Sequence, residues 1–153
     1  MLRIHAVTEQ DAREFASWTY PEPYSLYNSS PDAFEHFLDP SNGYLALEDR
    51  GLVVAYCCFG EEARVPGGNY EDDAVDIGVG MRPDLTGKGR GKELLETAIT
   101  EASRRFPGLP LRVTIATFNE RARHLAGSLG LDETERFKGP QRRDYVVLVR
   151  RPS

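Results

Sequence analysis

Gly87, Gly89 and Gly91 fall within five residues, interleaved with Lys88, Arg90 and Lys92, and an apolar helical pattern follows at once. Glycine loses more backbone freedom on folding than any other residue, so this spacing implies a backbone that must come close to something. The chemistry that fits is anion binding. Loop amides with no Cβ in the way can meet phosphate oxygens, and the free N–H groups at the start of the next helix favour negative charge. The three basic side chains add local positive charge, although Lys92 is also spaced to pair with Glu96 one helical turn on. A merely flexible turn is the alternative reading.

Two well-known phosphate loops do not fit. A nucleotide P-loop needs Gly-Lys followed by Ser or Thr, with another glycine five positions ahead. Here Gly87-Lys88 is followed by Gly89, and Arg82 stands at the earlier position. A dinucleotide fingerprint needs G-x-G-x-x-G beside the first strand. "GKGRG" has the wrong spacing and comes in mid-chain.

The elements that must hold this loop can be read from hydrophobic periodicity. "LRIHAV" alternates as a strand, and Thr8 with Asp11 three residues on reads as the cap of a helix over "EQDAREFASW". "TYPEPYSLYNSS" is a loop, and Ser30-Pro31 opens a second helix through "DAFEHFL". "YLALED" and "GLVVAYCCFGEEARV" are two strands turned at Asp49-Arg50-Gly51. "AVDIGVGM" is a further strand whose two glycines hint at a bulge or a close backbone approach. After the glycine loop, Leu94, Leu95, Ala98, Ile99 and Ala102 share one helix face. "LRVTIAT" is a strand, and Asn119 is placed to cap "ERARHLAGSL", which Gly130 ends. "RRDYVVLVR" closes the chain as a strand. The predicted order is β-α-α-β-β-β-α-β-α-β, a mixed α/β sheet in one domain over residues 1–153.

The chain has 153 residues, 40% hydrophobic and 28% charged, with a formal net charge of −5. That suits one soluble domain with a real core. Residues 1–81 carry 4 Lys/Arg against 15 Asp/Glu, and residues 82–153 carry 15 against 9. The basic half could face a polyanion and the acidic half a cation. Low net charge without basic clusters argues against a nucleic-acid partner. No apolar run approaches the roughly 18 residues of a membrane span. Without a signal-peptide core at the N-terminus, the expected location is cytoplasmic. Cys57 and Cys58 are neighbours on a strand and so point to opposite faces, which suits two buried thiols. The three histidines have no metal-like spacing, and no metal site is expected.

With the elements placed, the motifs resemble the GNAT superfamily of acetyl-coenzyme A dependent N-acetyltransferases. Thr86-Gly87-Lys88-Gly89-Arg90-Gly91 is similar to that family's phosphate motif except at its head, where Thr86 stands for Gln or Arg. Asn119 through Leu125, followed by Leu129-Gly130-Leu131, is similar to its second motif. The resemblance implies that residues 86–92 bind the coenzyme pyrophosphate. It also implies that Val79, Gly80 and Met81 meet the acetyl carbonyl and pantetheine beside a strand bulge, and that Asn119 touches the coenzyme arm. Asp76 matches the place of a frequent family glutamate and becomes the candidate general base, with Glu61 and Glu62 as rivals. A tyrosine often follows the second motif's leucine as proton donor, but this chain has Ala126. Ser128, Tyr145, a loop tyrosine or water would then serve. Trp18, Tyr20, Tyr24 and Tyr27 would wall the acceptor site, where aromatics and acidity suit a cationic amine.

The implied reaction is direct acetyl transfer to a primary amine, small or amino-acid-like, in a ternary complex, and a homodimer is compatible with it. An acyl-coenzyme A binding or sensing domain is the alternative.

Overall fold

The computed structural model describes residues 2–152. Seven strands form one sheet: β1 (Arg3–Ala6), β2 (Tyr44–Asp49), β3 (Leu52–Phe59), β4 (Val75–Met81), β5 (Leu111–Ala116), β6 (Asp132–Lys138) and β7 (Asp144–Arg150). Four helices accompany them: α1 (Glu9–Ala16), α2 (Ala33–Leu38), α3 (Gly91–Arg105) and α4 (Glu120–Ser128). The sheet order is β1-β2-β3-β4-β5-β7-β6, antiparallel throughout except for β4 beside β5. The mixed α/β expectation holds, with one strand more than the sequence pattern indicated. That strand, β6, has the sequence DETERFK and is exposed along almost its whole length. It lies at the sheet edge and pairs only with β7.

Local signals explain the helix ends. Thr8 Oγ1 accepts from Asp11 N at 3.1 Å, and Asp11 Oδ2 accepts from Thr8 N at 3.0 Å, a reciprocal capping box at the start of α1. The second helix departs from expectation. It begins at Ala33 behind a turn in which Ala33 N donates to Ser30 O, and Ser30 does not cap it. At the end of α4, Gly130 N donates to Gly127 O and Leu131 N to Ala126 O, with Gly130 at φ +87°. This is a Schellman ending, and it needs the left-handed backbone that glycine supplies.

The two sheet faces have separate cores. Leu47, Ala55, Cys57, Ile77, Val113 and Leu148 meet α3 and α4 through Leu94, Leu95, Ala98, Ile99 and Ala126. On the opposite face Phe15, Trp18 and Phe37 of the α1–α2 layer pack on Ala46, Tyr44 and Tyr56. Cys57 and Cys58 are both free and buried, and burial pushes both thiols up to about 12.

The glycines of β4 do not mark a bulge. The register with β3 runs unbroken from Ala55 opposite Met81 to Phe59 opposite Ile77. Close approach is what they serve. A Cβ on Gly78 would lie 2.9 Å from Cys58 Sγ, and one on Gly80 would overlap the Tyr56 ring. Tyr56 is itself held by Phe15, Trp18, Phe37 and Tyr44. Gly80→Ala should therefore lower stability by about 1–3 kcal/mol, read from the urea midpoint, because a caged ring cannot yield. An unchanged midpoint would show that the ring can move.

Candidate functional site

Strands β4 and β5 pair only at Val75 with Leu111 and Asp76 with Arg112. Beyond Asp76 they part, and the gap between them is the centre of the site. Backbone direction decides which groups face it. Gly60 N donates to Asp76 O at 2.9 Å, and Arg82 N donates to Val54 O at 2.8 Å, so Asp76, Gly78, Gly80 and Arg82 turn their peptide groups toward β3. Alternation turns those of Val79 and Met81 the other way, into the gap. Val75 N, donating to Pro110 O at 2.9 Å, has the same direction. Of the three residues expected to meet an acetyl group, Val79 and Met81 thus offer amides, while Gly80 offers only room for Tyr56.

Immediately after β4, a 3-10 turn over Pro83–Leu85 leads into the glycine loop. Thr86 Oγ1 donates to Pro83 O at 2.7 Å, so the residue that departs from the family pattern serves the turn. Gly87 and Gly89 stand at φ +74° and +81°, a conformation that aims successive amides to one side. A Cβ on Gly89 would meet nothing within 4 Å, whereas Gly91 lies close against Leu125 of α4. Helix α3 starts with no side-chain cap, which leaves its first amides free for an outside acceptor. An anion with several oxygens fits this cradle.

The basic side chains divide. Arg90 is held by Glu93 at 2.7 Å and Asp49 at 3.0 Å, and these carboxylates raise its pKa further. Its charge is largely spent on them. Lys88 is exposed on the loop, and Lys92 flanks the outer face of α3. Arg121 supplies the cation that sequence reasoning did not single out. Its Nη1 would lie 3.1 Å from a Cβ on Gly87, and its guanidinium covers the Tyr24 ring at 5.2 Å. Its position two residues after a helix-capping Asn was the available signal.

The four aromatics expected at the acceptor wall separate into two groups. Trp18 is 3% exposed, its indole N–H donates to Glu14 Oε1 at 3.2 Å, and it stacks on Tyr56. It belongs to the packing beneath the site and not to the lining. Tyr20, Tyr24 and Tyr27 lie over the gap. Tyr20 Oη donates to Met81 O at 2.6 Å, and burial pushes its phenol up to about 12. Tyr27 Oη meets Asn119 Nδ2 at 3.2 Å, and Tyr24 packs on Tyr27 and Phe118. The cation–π surfaces are already covered from within, by Arg121 on Tyr24 and Arg143 on Phe118. These faces therefore give no support to a cationic acceptor.

Asn119 caps α4, with Oδ1 accepting from Ala122 N at 3.2 Å. Asp76 is placed unlike a general base. It is 2% exposed, and Arg112 grips it through Nε at 2.5 Å and Nη2 at 2.9 Å while Arg64 Nε adds 2.8 Å. Both carboxylate oxygens are thus engaged by guanidinium groups in three charge-assisted bonds, and neither is turned to the gap as a substrate-facing base would be. Of its rivals, Glu62 is bonded to His36 and to Tyr44 Oη, and Glu61 is exposed. Ser128 Oγ donates to Leu125 O at 2.6 Å on its own helix, and Tyr145 is 9% exposed beneath Gly139. Among the described residues no group of three His, Cys, Asp or Glu could hold a metal. Thr117 Oγ1, just past β5, is buried with no partner.

A model of the acetyltransferase (GNAT) family matches residues 7–131. A search of the curated proteins found no match. Among solved structures, the ribosomal-protein-S18-alanine N-acetyltransferase of Escherichia coli is 20% identical with TM-score 0.67, over 100% of this chain and 95% of that one. The yncA protein of Salmonella typhimurium, solved with its cofactor acetyl-CoA, is 20% identical with TM-score 0.68, over 99% and 94%. A spermidine N-acetyltransferase chimera from Vibrio cholerae SpeG and hSSAT is 18% identical with TM-score 0.73, over 98% and 95%. At such identity the likeness is one of fold.

Proposed function

The chain belongs to the GNAT family of acetyltransferases, and from that premise we propose that it moves an acetyl group from acetyl-coenzyme A to a primary amine. The observation that carries this reading is the gap between β4 and β5, lined by the amides of Val79 and Met81 and continuous in sequence with an uncapped, glycine-rich helix start. The residues present fit the coenzyme. Residues 87–92 would hold the pyrophosphate by backbone amides, with Arg121 and Lys88 beside it. The unpartnered Thr117 hydroxyl and the two β4 amides would face the pantetheine arm and the acetyl carbonyl. The acetyl thioester, once bound, supplies the activated carbonyl. The chain's own part is to orient it and to stabilise negative charge developing on its oxygen.

The state of the thiols supports direct attack by the amine. Cys57 and Cys58 are buried with pKa values raised by that burial, so neither supplies the thiolate a covalent intermediate requires. The acceptor is a small or amino-acid-like amine that enters in its neutral form, since Asp76 is committed to Arg112 and Arg64. Turnover of acetyl-coenzyme A across a panel of amino acids, polyamines and aminated small molecules checks the reading. At least one amine should accelerate thiol release above the amine-free rate, more strongly as pH rises toward that amine's own pKa. Tight coenzyme binding with no accelerating amine would instead identify a binding or sensing domain, the reading that Ala126 favours.

A further inference from the structure

We infer that the Tyr27 hydroxyl is the proton donor to the departing thiolate. This rests on the acetyl-transfer reading above. Val75 lies abreast of Leu111 and Asp76 abreast of Arg112. Equal steps along two parallel strands bring Val79, Gly80 and Met81 level with Ile115, Ala116 and Thr117 across the gap. The chain between α1 and α2 bridges the two banks at that level. Tyr20 Oη is fixed to Met81 O on the β4 bank, and Tyr27 Oη meets Asn119 at the head of α4 on the β5 bank. The backbone of Ala116 also approaches Tyr27.

Proton placement follows from the cap. Asn119 Oδ1 accepts from Ala122 N, which fixes the orientation of the amide and leaves Nδ2 toward Tyr27. An amide nitrogen only donates, so the Tyr27 oxygen accepts and its own proton is not consumed in that bond. Helix α4 itself supplies no free hydroxyl. Ala126, seven residues after Asn119 on the same face, has only a methyl group and is fully buried. Ser128 is turned onto Leu125 O. Tyr145, the neighbouring phenol, is stacked on Phe137 at 5.6 Å.

The groups facing Tyr27 keep it protonated. Although 38% of the residue is exposed, partial burial raises its phenol above the ordinary value and Tyr145 adds to the rise, while the Asn119 bond, the Ala116 backbone and Arg143 work the other way. Tyr24 lies beside it on its own segment. The balance is upward, so at neutral pH the hydroxyl holds its proton. In the step, the amine nitrogen bonds to the carbonyl carbon and the carbon–sulfur bond breaks. Sulfur takes the electron pair and the Tyr27 proton. The proton shed by the amine nitrogen returns through water to the phenolate oxygen, so the transfer is neutral overall.

Tyr27→Phe keeps the ring and its packing and removes only the hydroxyl. The expected result is a kcat lowered about a hundredfold, the lower end of general-acid contributions. KM for the amine and coenzyme affinity by calorimetry should stay unchanged. The alkaline limb of the kcat–pH profile should disappear. Ultraviolet titration should show one fewer high-pKa phenol in the variant, and coenzyme A should perturb that phenol in the parent. Asn119→Asp keeps a capping oxygen but presents Tyr27 with an acceptor that ties up its proton; it too should lower kcat with melting unchanged. An unchanged kcat with the alkaline limb intact in Tyr27→Phe overturns the inference, and so does a raised amine KM at constant kcat. Parent protein that turns over no amine removes the acetyl-transfer reading and this inference together; equal turnover by parent and variant removes this inference alone.

Discussion

Gly89→Trp should weaken coenzyme A binding by roughly a hundredfold to ten-thousandfold in calorimetry. The substitution closes the space in front of the α3 amides, where a Cβ at this position now meets nothing within 4 Å. Two charge-assisted hydrogen bonds lost at about 1.5–3 kcal/mol each amount to about 3–6 kcal/mol, which gives that range. The positive φ of +81° adds a stability cost of about 1–2 kcal/mol, and this must be separated from the binding effect. Gly108 provides the control. It has φ +84°, also meets nothing within 4 Å, and lies beyond the opposite end of α3. Gly108→Trp should cost similar stability and leave coenzyme affinity alone. If the two variants bind alike, the loop is not the cradle.

The largest effect on stability is expected at Asp76. Removing its carboxylate with Asp76→Ala leaves Arg112, 4% exposed, with a buried charge and no counter-ion. Breaking one side of such a pair costs about 3–5 kcal/mol. For a domain of this size that lowers Tm by roughly 10 °C. The companion experiment replaces both ends, Asp76→Leu with Arg112→Met, and should recover most of the loss, because no unpaired charge remains buried: Arg64, the other partner of Asp76, has a side chain 36% exposed to solvent. Stability and chemistry are thereby separated. An Asp76→Ala protein that melts normally but loses turnover would restore the base role that the geometry denies it.

How far the letters reached depends on whether a requirement is local. The glycine loop was legible because its constraint is a backbone one: positive φ at Gly87 and Gly89 is met by residue type alone. The Thr8 cap and the Gly130 ending were legible for the same reason. β6 was not, because neither face of DETERFK packs on a core, so no alternation exists to read. Gly78 and Gly80 were ambiguous because one letter serves both a bulge and a close approach, and only the Tyr56 and Cys58 side chains across β3 decide between them. The ion pairing of Asp76 was not legible for want of a nearby partner. Arg112 lies 36 residues further on and meets it only when β4 and β5 pair. Tyr27 and Asn119 are 92 residues apart, joined solely by the way the α1–α2 segment crosses the gap.

That crossing has an evolutionary consequence. One short segment ties its Tyr20 to Met81 on β4 and its Tyr27 to Asn119 at the head of α4, the two banks of the gap. A mutation selected there for a new acceptor also shifts the two anchors that set how wide the opening stands. Under the acetyl-transfer reading proposed above, substrate range and grip on the donor are therefore pleiotropic. Drift toward a new amine should pass through changes at residues 21–26, between the anchors, before either tyrosine is exchanged.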